Sequence, residues 1–119
     1  MKNIFLVPIL LLALTTIACI KKKPEGKAPA APSNLKAVAI NGNNVTITWN
    51  DNSDNELGFT LEEKDNVYNP VYKEWITVYK DITVYYQSNL TPGKTYTFRI
   101  KSYNTYGDSA FSNEVSVTP

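Results

Sequence analysis

The chain has 119 residues, 43% hydrophobic and 19% charged, with 12 Lys/Arg against 11 Asp/Glu, one Cys and no His. That length holds one domain, and the near-neutral balance supplies no field to draw in nucleic acid. A single cysteine excludes an intramolecular disulfide framework and a cysteine-based zinc site, and the missing histidine removes the commonest general base and metal ligand.

Met1-Lys2-Asn3 is a short positive start. Ile4 to Ile17 is apolar except for Pro8, Thr15 and Thr16. A bilayer-spanning helix needs about 20 residues, and a signal-peptide apolar region about 7–15. The run therefore reads as a signal peptide over residues 1–18. It ends Leu14-Thr15-Thr16-Ile17-Ala18-Cys19. A small residue followed at once by the only cysteine resembles a bacterial lipobox, although Thr16 stands where Leu is usual. The resemblance implies cleavage after Ala18 and diacylation (palmitate or a similar chain) of the Cys19 thiol. One acyl chain holds a protein marginally on a membrane, and two or more hold it stably. Ile20, where Asp would suggest inner-membrane retention, points to the outer membrane in a host that has one.

Residues 19–31 carry Lys21, Lys22, Lys23 and Lys27 against Glu25, and Pro24 and Pro29 interrupt any helix. This stretch is expected to be a disordered, basic Pro/Ala/Lys tether that holds the following domain close to the membrane. The lysine triplet can lie on anionic headgroups.

Residues 32–119 alternate between turn signals and β-branched or aromatic runs. The turns are Asn41-Gly42-Asn43-Asn44, Asp51-Asn52-Ser53-Asp54-Asn55, Asn69-Pro70, Thr91-Pro92-Gly93 and Asn104 to Gly107. Between them Val45-Thr46-Ile47-Thr48-Trp49, Tyr96-Thr97-Phe98-Arg99-Ile100-Lys101 and Val115-Ser116-Val117-Thr118 alternate with period two. Short alternating strands at this spacing predict an all-β, antiparallel sandwich. Seven strands are predicted near 33–40, 44–50, 58–64, 73–79, 82–86, 94–103 and 112–118. The expected core is Leu35, Val45, Ile47, Trp49, Phe59, Leu61, Trp75, Val78, Tyr85, Leu90, Tyr96, Phe98, Ile100, Val115 and Val117.

The same region resembles a fibronectin type III domain, an immunoglobulin-like sandwich, along its whole length. Trp49 resembles the core tryptophan of the second strand. Leu90-Thr91-Pro92-Gly93-Lys94-Thr95-Tyr96 resembles the corner before the sixth strand. The resemblance implies that the Tyr96 hydroxyl bonds back to the backbone. Gly107 resembles the turn glycine that follows that strand, at positive φ. The stretch from Asp65 to Lys73 carries extra residues relative to the family pattern.

No catalytic constellation emerges. Glu62 and Glu63 are adjacent on a strand and so point to opposite faces, unlike the paired acids of a glycosidase. Asp51, Ser53, Asn55 and Glu62 fall at positions 1, 3, 5 and 12 of a calcium loop, but Glu56 takes the position that needs Gly. An Asx-rich turn without metal is the expectation there. Gly107-Asp108-Ser109 has Tyr106 where an integrin motif carries Arg, so that function does not carry over. Tyr68, Tyr72, Tyr79, Tyr86, Tyr103 and Tyr106 are surplus to the core. If several shared one face they would form a platform for a glycan or a protein. The sequence therefore predicts a non-enzymatic, monomeric module without cofactor, lipid-anchored in a bacterial cell envelope and facing away from the cytoplasm. It would act in interaction or spacing, and the alternative is a surface adhesin or carbohydrate-binding module using the tyrosines.

Overall fold

Period-two burial builds the core. Along β2 (Asn44–Asn50) Val45, Ile47 and Trp49 point inward and are buried. In the computed structural model, which describes residues 26–65 and 67–119, this strand lies at the centre of a three-stranded antiparallel sheet. Its neighbours are β1 (Ser33–Asn41) and β5 (Val84–Gln87). The second sheet runs in the order β4 (Lys73–Tyr79), β3 (Gly58–Asp65), β6 (Tyr96–Asn104) and β7 (Gly107–Asp108), and β8 (Val115–Val117) also pairs β6. The expected antiparallel sandwich is thus the observed architecture. Ala18, Cys19 and most of the expected tether lie outside the described residues.

The two sheets meet through Leu35, Val45, Ile47, Trp49, Phe59, Leu61, Leu90, Tyr96, Phe98 and Ile100, all buried. Trp49 and Phe59 touch across the interface with ring centroids 5.7 Å apart at 60°. Val78, Tyr85, Val115 and Val117 are partly buried against this cluster, together with Ala37 and Ile76. Trp75 is the exception to the expected core, at 41% exposure. Leu61 pairs Ile76 but Glu62 pairs Glu74, so Trp75 is the extra residue of a β-bulge. Ile76 takes the inward place opposite Leu61, and the bulge sets the indole at the margin of the core, where it reaches Gln87 of the other sheet.

The strand expected over 112–118 is divided. β7 closes a hairpin with the end of β6, and β8 begins only at Val115. Two serines complete the β6 edge between them. The Ser109 and Ser112 N–H groups donate to the Ser102 and Ile100 carbonyls, each at 2.8 Å. Their hydroxyls accept from the Ser102 and Ile100 N–H groups at 2.9 and 3.2 Å. A hydroxyl can replace a strand carbonyl in this way, so no β6 group is stranded. Gly107 enters the hairpin at φ +146°, a conformation that L side chains rarely adopt.

Residues 27–31, expected in the tether, are held on the sandwich. Ser102, fully buried at the end of the inward row of β6, donates its hydroxyl to the Ala30 carbonyl at 2.8 Å. Asn52 donates to the Ala31 carbonyl at 2.9 Å, and Asn55 and Asn104 both donate to that of Lys27. Pro29 and Pro32 are buried. Gly26 lies so close to Tyr106 that a Cβ there would overlap the ring. The expectation that nothing before Pro32 packs on the domain fails for a physical reason. Carbonyls make the hydrogen bonds of the attachment, and the Pro29 ring is buried beside them.

At the opposite pole the expected corner is present. The Thr91 N–H donates to the Tyr96 hydroxyl at 2.9 Å, and the Tyr96 ring is buried. Tyr96→Phe should cost about 1–3 kcal/mol, because a backbone donor loses its partner. Tyr106→Phe should cost almost nothing, and chemical denaturation of the two variants checks the contrast. A chain shortened to begin at Pro32 should fold but be less stable by roughly 1–3 kcal/mol than one beginning at Gly26. It strands the buried Ser102 hydroxyl and removes three asparagine contacts, although Asn52 and Asn104 keep bonds to Ser33 Oγ and the Asn55 carbonyl. Paired urea titrations measure the difference.

Candidate functional site

The six surplus tyrosines do not form one platform. Tyr79 and Tyr103 share the outer face of the larger sheet, flanking Gly58 through the pairs Gly58–Tyr79 and Gly58–Tyr103. Tyr72 lies toward the other end of that sheet, half-buried between Lys64 and Arg99 at 4.5 and 4.0 Å from its centroid. Burial and the neighbouring Glu114 carboxylate push its phenol well above the usual range. Tyr86 is on the outer face of the smaller sheet. Tyr68 lies in the β3–β4 loop near Lys94, and Tyr106 packs against Gly26.

The outer face of the larger sheet is instead a closed charge network. Arg99 donates to Glu62 through both Nε and Nη2 at 2.7 Å, and its guanidinium stacks 3.7 Å from the Phe111 centroid. Lys101 reaches Asp108 at 2.8 Å. These charges satisfy one another, while the hydroxyl of Tyr72 beside Arg99 is buried without a hydrogen-bond partner.

The acidic turn differs from the calcium pattern. Asp51, Glu56 and Asp81 have carboxylate oxygens within 4.8 Å of one another. Ser53 Oγ lies 2.7 Å from Glu56 Oε2 and 3.3 Å from Asp51 Oδ1. Burial, with the nearby Glu56 charge, raises Asp51. For Glu56, burial is outweighed by hydrogen bonds from Ser53 and the backbone, which lower it. Glu62, at position 12 of that pattern, is on β3 with Arg99 and does not join them. Asp81 is not legible in the sequence because it comes from the β4–β5 turn, far along the chain from Asp51 and Glu56. The cluster does the work of a turn, tying 51–56 together.

A cleft of about 430 Å³ lies between the sheets at the pole opposite residues 27–31. It exists because the inward row of β3 changes from Phe59 and Leu61 to Glu63 and Asp65. Trp75, Gln87, Asn89, Lys73 and Lys94 complete most of the lining. Trp75 donates its indole N–H to Gln87 Oε1, which joins β4 to β5 and fixes the ring. Glu63 is 5% exposed, and its Oε2 is buried without a hydrogen-bond partner. Burial raises its carboxyl, and Lys73 only partly offsets this. Glu62 and Glu63 do face opposite ways, the first to Arg99 and the second into the cleft.

Asp65 has the opposite character. Its Oδ1 accepts from the Val67, Tyr68 and Asn69 N–H groups, at 3.1, 2.6 and 3.1 Å. Its Oδ2 accepts from the Asn69 amide at 3.0 Å and meets Lys94 Nζ at 3.1 Å. One carboxylate thus organises the long β3–β4 loop. Burial opposes its ionisation, but these hydrogen bonds outweigh burial and hold the carboxyl far below the usual range. A lowered folded-state value stabilises the protein above the unfolded value, near pH 4 for Asp, and that contribution is lost as pH falls. Melting temperature should therefore drop progressively below about pH 4. Asp65→Asn should flatten that acid limb, as thermal melts across pH would record.

Comparison with known proteins places this geometry. The profile of the fibronectin type III domain matches residues 30–118. Chitinase A1 of Niallia circulans is 37% identical over 92 residues, 76% of this chain and 12% of its own length. An alpha-amylase of the same organism is 31% identical over 97 residues, 80% of this chain and 7% of its own length. The chain thus spans a small part of either enzyme. The solved structure of FN3tt mut superposes with a TM-score of 0.65 at 26% identity, covering 77% of this chain and 97% of that one. The two-sheet topology, the Tyr96 corner and these matches agree, and the chain belongs to the fibronectin type III family.

Proposed function

We propose that the chain is a lipid-anchored interaction module of a bacterial cell envelope, its sandwich held outside the cytoplasm by Cys19. The fold is a non-catalytic module, of a kind that commonly mediates protein–protein contact. The observation that supports the anchor is the Ala18-Cys19 junction at the end of an apolar run too short to span a bilayer. Three lysines follow it directly, suited to anionic headgroups. The sandwich begins at residue 27, so only seven residues separate Cys19 from it. The module is then a short-tethered, monomeric unit close to the membrane. Ile20, in place of Asp, assigns it to the outer membrane of a host that has one. The chitinase and the amylase share only this module with the chain, so their activities are not assigned to it.

Mass spectrometry of the mature protein should find a diacylated Cys19 at the N-terminus and no residues 1–18. Cys19→Ala should release the protein from the membrane fraction. A free thiol on a soluble protein would reject the anchor, and recovery with the inner membrane alone would reject the outer-membrane assignment.

A further inference from the structure

The cleft places unsatisfied chemistry at the end of the module farthest from its attachment. The chain joins the sandwich beside the turns at 51–57 and 104–107. The eight residues of β3 lead away from that pole, roughly 25 Å at 3.4 Å per residue. At the far end, Glu63 is buried and keeps an unpaired carboxylate oxygen. An apolar residue would fill the inward position without that cost. Beside it the bulge in β4 sets a half-exposed indole at the margin of the core, facing the other sheet, and the Gln87 hydrogen bond fixes its plane. Asn89 adds an amide to the same lining, while those of Asn69 and Gln87 are engaged with Asp65, Trp75 and the Ser88 carbonyl.

Net charge decides the class of ligand. Glu63 and Asp65 are balanced by Lys73 and Lys94, so the cleft as a whole selects neither a cation nor an anion. Asp65 is already saturated with donors. An aromatic face beside amides and an unpaired acceptor suits a neutral, polyhydroxylated ring, whose C–H face packs on the indole and whose hydroxyls donate to oxygen. Lys73 Nζ, 5.8 Å from the Trp75 centroid, is at the outer range of a cation–π contact and can be displaced. We propose that this cleft binds one ring of a neutral oligosaccharide, with Trp75 as the stacking surface and Glu63 as a hydroxyl acceptor. The assignment rests on the reading of the chain as a non-catalytic interaction module, and it names that module's ligand.

The test is an NMR titration of the isotope-labelled full chain in dodecylphosphocholine micelles. Maltotriose, chitotriose and cellotriose are the probes, with cadaverine as a cationic comparison. At least one trisaccharide should shift the Trp75 indole N–H and the Ser88 and Asn89 amides in a saturable way. Trp75→Ala should weaken that binding roughly tenfold or more. Glu63→Leu, which removes the unpaired carboxyl, should keep or raise the melting temperature yet lose the sugar. Silence from all three trisaccharides would overturn the assignment, as would unchanged binding in Glu63→Leu. Stronger shifts of the same amides by cadaverine would also overturn it, in favour of an amine. The sugars should be recovered intact. Cleaved sugar would reject the non-catalytic reading and leave the cleft assignment standing.

Discussion

The contact of Trp49 with Phe59 is the constraint on which the rest of the structure depends. It joins the central strand of one sheet to a central strand of the other, with no disulfide to help. A domain of this size buries only a modest share of its surface, so a few large side chains must carry the interface. Around that pair the alternation of β2, β3 and β6 supplies Val45, Ile47, Leu61, Phe98 and Ile100, all nearly inaccessible. Every loop hangs from this arrangement, and each pole of the sandwich inherits the position the pair gives it.

The two poles are finished by different chemistry. At one, residues 27–31 lie over the end of the core, and Ser102, Asn52, Asn55 and Asn104 hold their carbonyls. Nearby, Asn113 acts as a substitute strand. Its side-chain oxygen accepts from the Leu35 N–H and its amide donates to the Leu35 carbonyl, at 2.9 and 3.0 Å. With Ser109 and Ser112 on β6, short polar side chains supply the hydrogen bonds where the ladder is interrupted. At the other pole the Tyr96 hydroxyl fixes the corner, and Asp65 gathers the β3–β4 loop. There the core ends in carboxyls rather than in apolar side chains. Buried carboxyls there cost stability that apolar side chains would not.

The proposed anchor and the proposed cleft fit one geometry. A chain that leaves the membrane through residues 19–26 meets the sandwich at the pole of the 51–57 turn. The cleft opens at the far pole, where a polymer can reach it. The outer faces of the sheets, by contrast, are either closed by ion pairs such as Arg99–Glu62 or occupied by scattered tyrosines. An interaction through the cleft therefore needs neither the tyrosine platform nor the acidic turn.

Much of the fold was legible in the sequence because it rests on local rules. Period-two alternation marked β2 and β6, turn residues marked their ends, and the Leu90 to Tyr96 segment marked the corner. Trp75 departs from the expected core because a bulge adds one residue to the strand and moves its indole to the core's margin, which alternation alone does not reveal. The binding of residues 27–31 was invisible because its hydrogen bonds are made by carbonyls, which every sequence has, and only one proline ring is buried with them. The division of the last strand depends on where two serine hydroxyls meet β6, a matter of three-dimensional register. The cleft was hidden for the same reason. Glu63, Trp75 and Gln87 come from three strands in two sheets, and only their packing brings them to one opening. The sequence by itself determined the alternation, the turns and the cysteine that follows the apolar run. Tertiary structure alone decided which polar groups share an environment, because burial and hydrogen-bond partners depend on contacts between residues far apart in the chain.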